Sequence, residues 1–132
     1  AAAKGQRLHT LPEARNEYLT IDVMAFPETQ VHWPLPVAAF EMENNQDRIA
    51  YSFWKLLCLR VPIRVLFCYR QHSSERDSLI RMLQDEILQS MSLPPEGDTL
   101  LVIGNRDESS VFPYGFFRWW HLNPNTARFN VI

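Results

Sequence analysis

The sequence predicts a single α/β domain built on a mixed β-sheet that is part antiparallel and part parallel. Two β-rich segments, 18–26 and 37–43, are joined by a Pro-rich connection too short for a crossover helix, so we expect an antiparallel hairpin. A predicted helix and then a nearly continuous apolar strand, Ile63 to Tyr69, follow the hairpin, which is typical of a βαβ unit with parallel strands. A chain of 132 residues, 46% of them hydrophobic, has the size and apolar content of one folded domain.

The N-terminal third predicts a short helix and the first strand. Residues 11–17 can hold a helix because proline is accepted in a first helical turn. The strand over 18–26 carries one acid, Asp22, in its middle. Side chains alternate between the faces of a strand, which places Asp22 on the same face as Thr20 and Met24.

The second strand carries two carboxylates at its far end. Alternation places Glu41 and Glu43 side by side on one face, together with Val37 and Ala39. Burying an ionised carboxylate without a partner is costly, so such a pair usually lies at a strand end near water, a cation or a metal ion. An edge strand whose acids face solvent is the alternative interpretation.

The rest of the chain predicts two helices and three strands. Asn44–Asp47 offers N-cap residues for the first helix, and Ser73–Asp77 has the pattern of a capping box for the second. The elements predicted here are helices over 48–59 and 73–90, strands over 63–69, 99–104 and 116–122, and a polar loop over 105–110.

Composition excludes some classes of protein. The net charge of −2 argues against non-specific coating of nucleic acid, but leaves room for a local basic groove.

Cys58 and Cys68 lie in apolar runs without metal-binding spacing, so we expect free buried thiols, with one disulfide as the alternative. No apolar run has the length of a membrane span and no signal peptide is visible, so we expect a cytoplasmic protein. Because Ala1 rather than Met begins the chain, we expect a trimmed chain or a domain taken from a longer protein.

Three acids lie on the predicted hairpin and carry the functional hypothesis. Asp22 is on the first strand, and Glu41 and Glu43 are on the second, so all three can converge at one edge of the sheet. Convergent carboxylates are the ligands that Mg²⁺ or Mn²⁺ takes, with water and phosphate oxygens completing the set. A metal ion there can polarise a phosphate and activate a water for phosphodiester hydrolysis.

This pattern resembles the PD-(D/E)xK nuclease superfamily, which has the restriction-endonuclease-like fold. The resemblance rests on "IDV…PVAAFEMEN", the helix segment "YSFWKLL" and the strand "IRVLFCY"; it covers about residues 17–69, and the second half matches only in element order. It implies a three-layer core in which helices flank the mixed sheet. It also implies a Mg²⁺- or Mn²⁺-dependent endonuclease with DNA as its partner and no membrane association, and it leaves a homodimer and additional domains open.

The resemblance also implies roles for individual residues. Asp22 and Glu41 match the metal-ligand positions, and Glu43 stands where the family pattern has lysine, so it would bind or orient the attacking water. In some members the lysine comes from the following helix, which makes Lys55 the candidate; a surface lysine is the alternative. We expect the Lys55 ammonium to point to Asp22 and Glu41, because a positive charge among apolar neighbours gains most from carboxylates.

Other residues are weaker candidates. Glu17 matches an acid that some members place on a preceding helix, and Gln71 is a candidate for a supporting polar contact, with an ordinary loop residue as the alternative. Trp119 and Trp120 can stack on nucleobases or pack in the core. Candidate phosphate contacts, with solvated arginines as the alternative, are Arg64, Arg70 and Arg118.

Two other functions stay open. The acid at Glu43 and the negative net charge favour a catalytically inactive nuclease-like domain that serves as a nucleic-acid- or protein-binding module. A generic α/β scaffold whose acids are coincidental is the third hypothesis.

Overall fold

The computed structural model describes residues 8–9, 20–28 and 32–132. Two helices and seven strands occur in these ranges: β1 (Leu8–His9), β2 (Val23–Pro27), β3 (Ala38–Glu43), α1 (Gln46–Leu57), β4 (Ile63–Arg70), α2 (Glu75–Met82), β5 (Asp98–Asn105), β6 (Phe117–Asn123) and β7 (Arg128–Val131). A π-helical turn over Leu83–Ile87 and a 3₁₀ turn over Leu88–Ser90 continue α2, and a 3₁₀ segment over Arg106–Val111 follows β5. The predicted helix over 11–17 lies outside the described residues.

The strands lie side by side in chain order. β2 to β7 form a six-stranded mixed sheet, and the two residues of β1 add an antiparallel pair to β2. β2 and β3 are antiparallel, β3, β4 and β5 are parallel, and β5, β6 and β7 are antiparallel. The predicted hairpin, the predicted βαβ unit and the α/β class are therefore confirmed.

The core fills the space between the helices and one face of the sheet. Leu66 on β4 and Ile103 on β5 are fully buried in one cluster with Phe53 of α1 and Leu79 of α2. The helices therefore share one face of the sheet, as the two parallel crossovers require. The opposite face carries side chains such as Trp119 that are partly exposed, and in the described residues no helix covers it. These residues show two layers, whereas three layers were expected.

Helix α1 begins and ends for identifiable reasons. The side chain of Asn45 accepts a hydrogen bond from Asp47 N at 3.0 Å, which confirms the predicted capping segment. At the other end, buried Arg64 donates to the carbonyl oxygens of Leu56 and Leu59. A cation at a helix C-terminus is favourable, and it satisfies carbonyl groups that have no partner within the helix.

Two predicted roles for arginines are wrong because the side chains are buried. Arg64 is used to end α1, and burial lowers its pKa. Arg70 is also buried and donates to the Tyr69 carbonyl oxygen at 2.7 Å. Arg118 is exposed but lies 3.6 Å from Glu108, so its predicted phosphate contact stays a prediction.

The start of α2 differs from the predicted capping box. Ser74 is the N-cap residue, and its side chain makes no capping hydrogen bond. Instead, Ser73 donates to Asp107 Oδ2 from its backbone N, at 2.9 Å, and from its hydroxyl, at 3.2 Å. These hydrogen bonds from Ser73 hold the pKa of Asp107 below its ordinary value. The start of the helix is thus tied to the segment after β5, a contact between residues far apart in sequence.

The two cysteines are free, but only one is buried. Burial raises the pKa of the Cys68 thiol to about 12, so this group stays protonated within the core. Cys58 is exposed because it follows the last turn of α1, and the prediction of a buried thiol is wrong there. Within the described ranges, no helix combines the length and apolar character needed to cross a membrane.

Candidate active site

Lys55 extends from the last turn of α1 to the carboxylate of Glu41 on β3. Its Nζ lies 2.7 Å from Glu41 Oε1 and also donates to the carbonyl oxygen of Thr20. Its side chain is only 15% exposed, which is far from the exposure of a lysine in bulk water. The geometric prediction that the ammonium points to the acids is therefore confirmed.

Glu41 is a buried carboxylate whose pKa is set by opposing neighbours. Its side chain is 4% exposed, and Oε1 is in contact with the Lys55 ammonium. Burial raises the pKa of Glu41, and the neighbouring charge of Asp22 raises it further. The hydrogen bond and charge of Lys55, together with a hydrogen bond from the Asp22 backbone, act in the opposite direction but do not cancel the rise.

Asp22 lies opposite Glu41, immediately before β2. Val23 pairs with Phe40 in the antiparallel register. The residue before Val23 therefore lies across from the residue after Phe40, which places Asp22 opposite Glu41. Asp22 Oδ2 accepts a hydrogen bond from Met42 N at 2.8 Å, which holds this carboxylate against the end of β3. We call Asp22 and Glu41 the acid pair.

The prediction that Asp22 lies in the middle of a strand is wrong. β2 begins at Val23, and Thr20 has a φ of 62°, a left-handed conformation that interrupts extended backbone. Ile21 is fully buried while Asp22 is exposed. The turn therefore places the aspartate at the edge of the site, where it is accessible to solvent.

Glu43 faces the N-terminus of α1. Its carboxylate accepts hydrogen bonds from Asn45 N at 2.9 Å and from Ser52 Oγ at 3.4 Å, and it lies 3.9 Å from Arg48 Nε. A negative charge is favourable at this end of a helix. The structure places this carboxylate against protein donors. Its predicted action on the attacking water stays a prediction.

The other candidates lie away from the acid pair. Gln71 follows β4, five residues beyond the level of Glu41, or roughly 16 Å along the strand. Trp120 is buried in the core, and Trp119 packs edge-on against Phe67 on the other face of the sheet, with ring centroids 6.3 Å apart. Glu17 lies outside the described residues.

Sequence reasoning assigned no role to two aromatic residues next to the site. Tyr51 lies one turn before Lys55 on α1, and Lys55 Nζ is 5.8 Å from the centre of its ring. Trp54 is the neighbouring residue on the exposed side of the helix. Helical spacing puts Arg48, Tyr51 and Lys55 on one stripe, and that spacing is the signal in the sequence that points to Tyr51.

An open apolar cavity lies elsewhere, at the amino ends of the parallel strands. Its walls include Trp33, Leu35, Val61 and Gly97. The acid pair lies toward the carboxyl end of β3, so this cavity is separate from the candidate site.

The acid pair suits a small divalent cation. Mg²⁺ typically binds one or two carboxylates and keeps several waters, and this site offers two carboxylates side by side, one buried and one exposed. The repulsion that Asp22 exerts on Glu41 would be relieved by a cation between them. Among the described side chains, no group of three His, Cys, Asp or Glu residues is placed to hold an ion, so Glu43 does not complete a set of three with the acid pair.

Comparisons with protein-family models, with curated proteins and with solved structures give no significant match to this chain.

Proposed function

We propose that this chain is a metal-dependent nuclease of the restriction-endonuclease-like fold that hydrolyses phosphodiester bonds in DNA. The observation that supports it most is the convergence of Lys55, from the helix after β3, on Glu41 and its neighbour Asp22. This is the order of acids and lysine that the resemblance to the PD-(D/E)xK superfamily implies, with the lysine carried by the helix.

The electrostatics of the site favour function over a purely structural ion pair. A buried salt bridge gains little net stability, since desolvation of the two charges offsets their attraction. The pKa of Glu41 stays raised although Lys55 is in contact, so the protein holds the carboxylate in an unfavourable environment. Groups with perturbed pKa values cluster at functional sites.

Each residue of the proposed site has a distinct role. Asp22 and Glu41 would hold Mg²⁺ or Mn²⁺, which supplies Lewis acidity toward a phosphate diester. Lys55 carries the positive charge that holds a water or stabilises negative charge developing on the phosphate. Glu43 holds the first turns of α1 through Asn45 and Ser52, and so fixes the helix that carries the lysine.

A cleavage assay tests the proposal. The protein is incubated with Mg²⁺ or Mn²⁺ and with single-stranded, nicked and duplex DNA, beside Glu41→Ala and Glu86→Ala. Glu86 is an exposed acid on the π-helical turn and serves as the matched control. We expect metal-dependent cleavage that Glu41→Ala abolishes and Glu86→Ala retains. Absence of cleavage at every metal concentration, or cleavage unchanged in Glu41→Ala, would show that the proposal is wrong.

A binding module without catalysis is the second candidate. The observations that favour it are the acid at Glu43, where the family pattern has lysine, and the net charge of −2. Calorimetry with Mn²⁺ separates the two functions, because a nuclease site should bind the ion at the acid pair and a non-catalytic module should give no heat of binding.

A further inference from the structure

We infer that Tyr51 and Trp54 form a platform on which an unpaired base of the DNA substrate stacks beside the cleaved phosphate. The inference rests on the proposed nuclease function and adds a substrate class to it: single-stranded or locally opened DNA. We call these two residues the aromatic platform.

Both rings of the aromatic platform are available to a ligand. Tyr51 is 51% exposed and Trp54 is 53% exposed, although they lie on a helix whose other side is fully buried in the core. Their ring centroids are 6.0 Å apart and the ring planes are inclined by 33°, so together they present a broad apolar surface. Large aromatic side chains exposed side by side are unusual away from binding sites.

The aromatic platform is continuous with the candidate active site. Lys55 Nζ lies 5.8 Å from the centre of the Tyr51 ring and 2.7 Å from Glu41 Oε1. The same ammonium thus borders both the ring and the acid pair. A phosphate placed at Lys55 would have its adjoining nucleotide next to Tyr51.

A cation completes the surface on the other side of Tyr51. Arg48 lies one turn earlier on the stripe that contains Tyr51 and Lys55, and its side chain is 64% exposed. Its contact with Glu43 is long, at 3.9 Å, which leaves guanidinium donors for another group. Cations spaced along an aromatic surface match a polynucleotide strand, whose phosphates and bases alternate.

This geometry selects the physical form of the DNA rather than its sequence. Every base has a π-face, so stacking on aromatic rings tolerates any sequence. In an intact duplex both faces of each base are covered by its neighbours, and a base must leave the stack before a protein ring can contact it. The aromatic platform therefore favours single strands, nicked ends or frayed ends over continuous duplex.

The test measures DNA binding without cleavage. Fluorescence anisotropy with labelled single-stranded and duplex oligonucleotides is recorded at low salt in the presence of EDTA, for the wild-type protein, Tyr51→Ala, Trp54→Ala and Trp54→Phe. Trp33→Ala is the matched control, because Trp33 is 83% exposed and lines the separate cavity. Circular dichroism checks that each variant is folded.

We expect tighter binding of the single strand than of the duplex. Each alanine variant should weaken single-strand binding by roughly 5- to 150-fold, the range that corresponds to the stacking energy of one base. Trp54→Phe should restore most of the affinity, and Trp33→Ala should bind as the wild type does. An abasic site in the oligonucleotide should weaken binding to the wild type more than binding to the alanine variants.

The outcomes separate this inference from the nuclease proposal. If Glu41→Ala abolishes cleavage while both alanine variants bind single strands normally, the nuclease proposal stands and the aromatic platform is wrong. If no DNA is cleaved but the alanine variants lose binding, the platform stands and the nuclease proposal fails. Equal binding of single strands and duplex, or no binding of single strands, also overturns the platform.

Discussion

Lys55 Nζ and Glu41 Oε1 lie 2.7 Å apart, and this contact joins the last turn of α1 to β3. The lysine approaches a carboxylate that is buried and that faces a second acid, Asp22. Because burial and Asp22 raise the pKa of Glu41 while Lys55 opposes them, changes to either partner should alter both chemistry and stability.

Replacement of Lys55 by methionine should stop cleavage without preventing folding. Methionine keeps much of the apolar stem that packs along α1 but removes the charge. We expect the cleavage rate to fall by roughly 10²-fold or more, the usual loss for one electrostatic donor at a reaction centre. Single-turnover cleavage of a labelled oligonucleotide measures it, and full activity in Lys55→Met would contradict the assigned role of the lysine.

The same variant should show a pH-dependent loss of stability. Without Lys55, the pKa of Glu41 in the folded protein rises further, because both contributions of the lysine lower it. A carboxyl with a raised pKa contributes stability below its ordinary value of 4.5, and that stability is lost as pH rises through the folded-state pKa. The Tm deficit of Lys55→Met should therefore be larger at pH 8 than at pH 4.5. When Lys55→Met/Glu41→Gln is compared with Glu41→Gln, the Tm deficit should not change with pH, because neither protein carries the titrating carboxyl.

Replacement of Glu41 by glutamine should abolish cleavage and stabilise the fold at neutral pH. Glutamine has the shape of the protonated acid, and the raised pKa shows that the ionised form is disfavoured in the folded protein. The variant should match the wild type well below pH 4.5, and its Tm should exceed that of the wild type increasingly as pH rises. Thermal unfolding across this pH range measures the difference. A Tm that falls below the wild type at pH 7 would show that the ion pair is a net stabilising contact.

Much of the frame around this site follows from local sequence signals. A short Pro-rich connection specifies the hairpin, and side-chain alternation places Glu41 toward the helices. The spacing of Ile49, Phe53 and Leu56 fixes the buried face of α1, which leaves Lys55 at its flank. Each of these signals depends on residues close together in the sequence, so it can be recognised before the three-dimensional structure is known.

The features that could not be predicted depend on contacts between distant residues. The left-handed conformation of Thr20 moves Asp22 out of the strand, although threonine rarely adopts it and no glycine marks the turn. The hydrogen bond from Ser52 to Glu43 depends on where the second turn of α1 comes to lie. Arg64 has the sequence context of a strand residue, and its role in ending α1 depends on how β4 packs beneath the helix.

Asp22 should contribute separably to metal binding and to stability. Asparagine can still accept the hydrogen bond from Met42 N, whereas alanine cannot. We expect Asp22→Asn to unfold at or above the wild-type urea concentration, because it keeps the hydrogen bond and removes the repulsion of Glu41. Asp22→Ala should be about 1 kcal/mol less stable than Asp22→Asn, the usual net contribution of one hydrogen bond. Both variants should lose Mn²⁺ binding in calorimetry. If Asp22→Asn binds Mn²⁺ as tightly as the wild type does, Asp22 is not a ligand of the metal ion.

Glu43 should act mainly by holding α1. Glutamine keeps an acceptor for Asn45 N and Ser52 Oγ, so Glu43→Gln should retain most of the cleavage activity, whereas Glu43→Ala should lower both Tm and activity. The loss of stability in the alanine variant should be about 1 kcal/mol, as for other residues that cap a helix. If Glu43→Gln loses cleavage at an unchanged Tm, the carboxylate instead acts on the attacking water, as the sequence resemblance implies.

A crystal structure of the wild-type protein soaked in Mn²⁺ shows whether the acid pair binds a metal ion, because anomalous scattering locates the ion independently of activity. We expect one Mn²⁺ coordinated by carboxylate oxygens of both Asp22 and Glu41, with the Lys55 ammonium beside them. If the acid pair holds no Mn²⁺ at saturating concentration and the contact between Lys55 and Glu41 is unchanged, the metal site is wrong, and Lys55 and Glu41 form a structural ion pair.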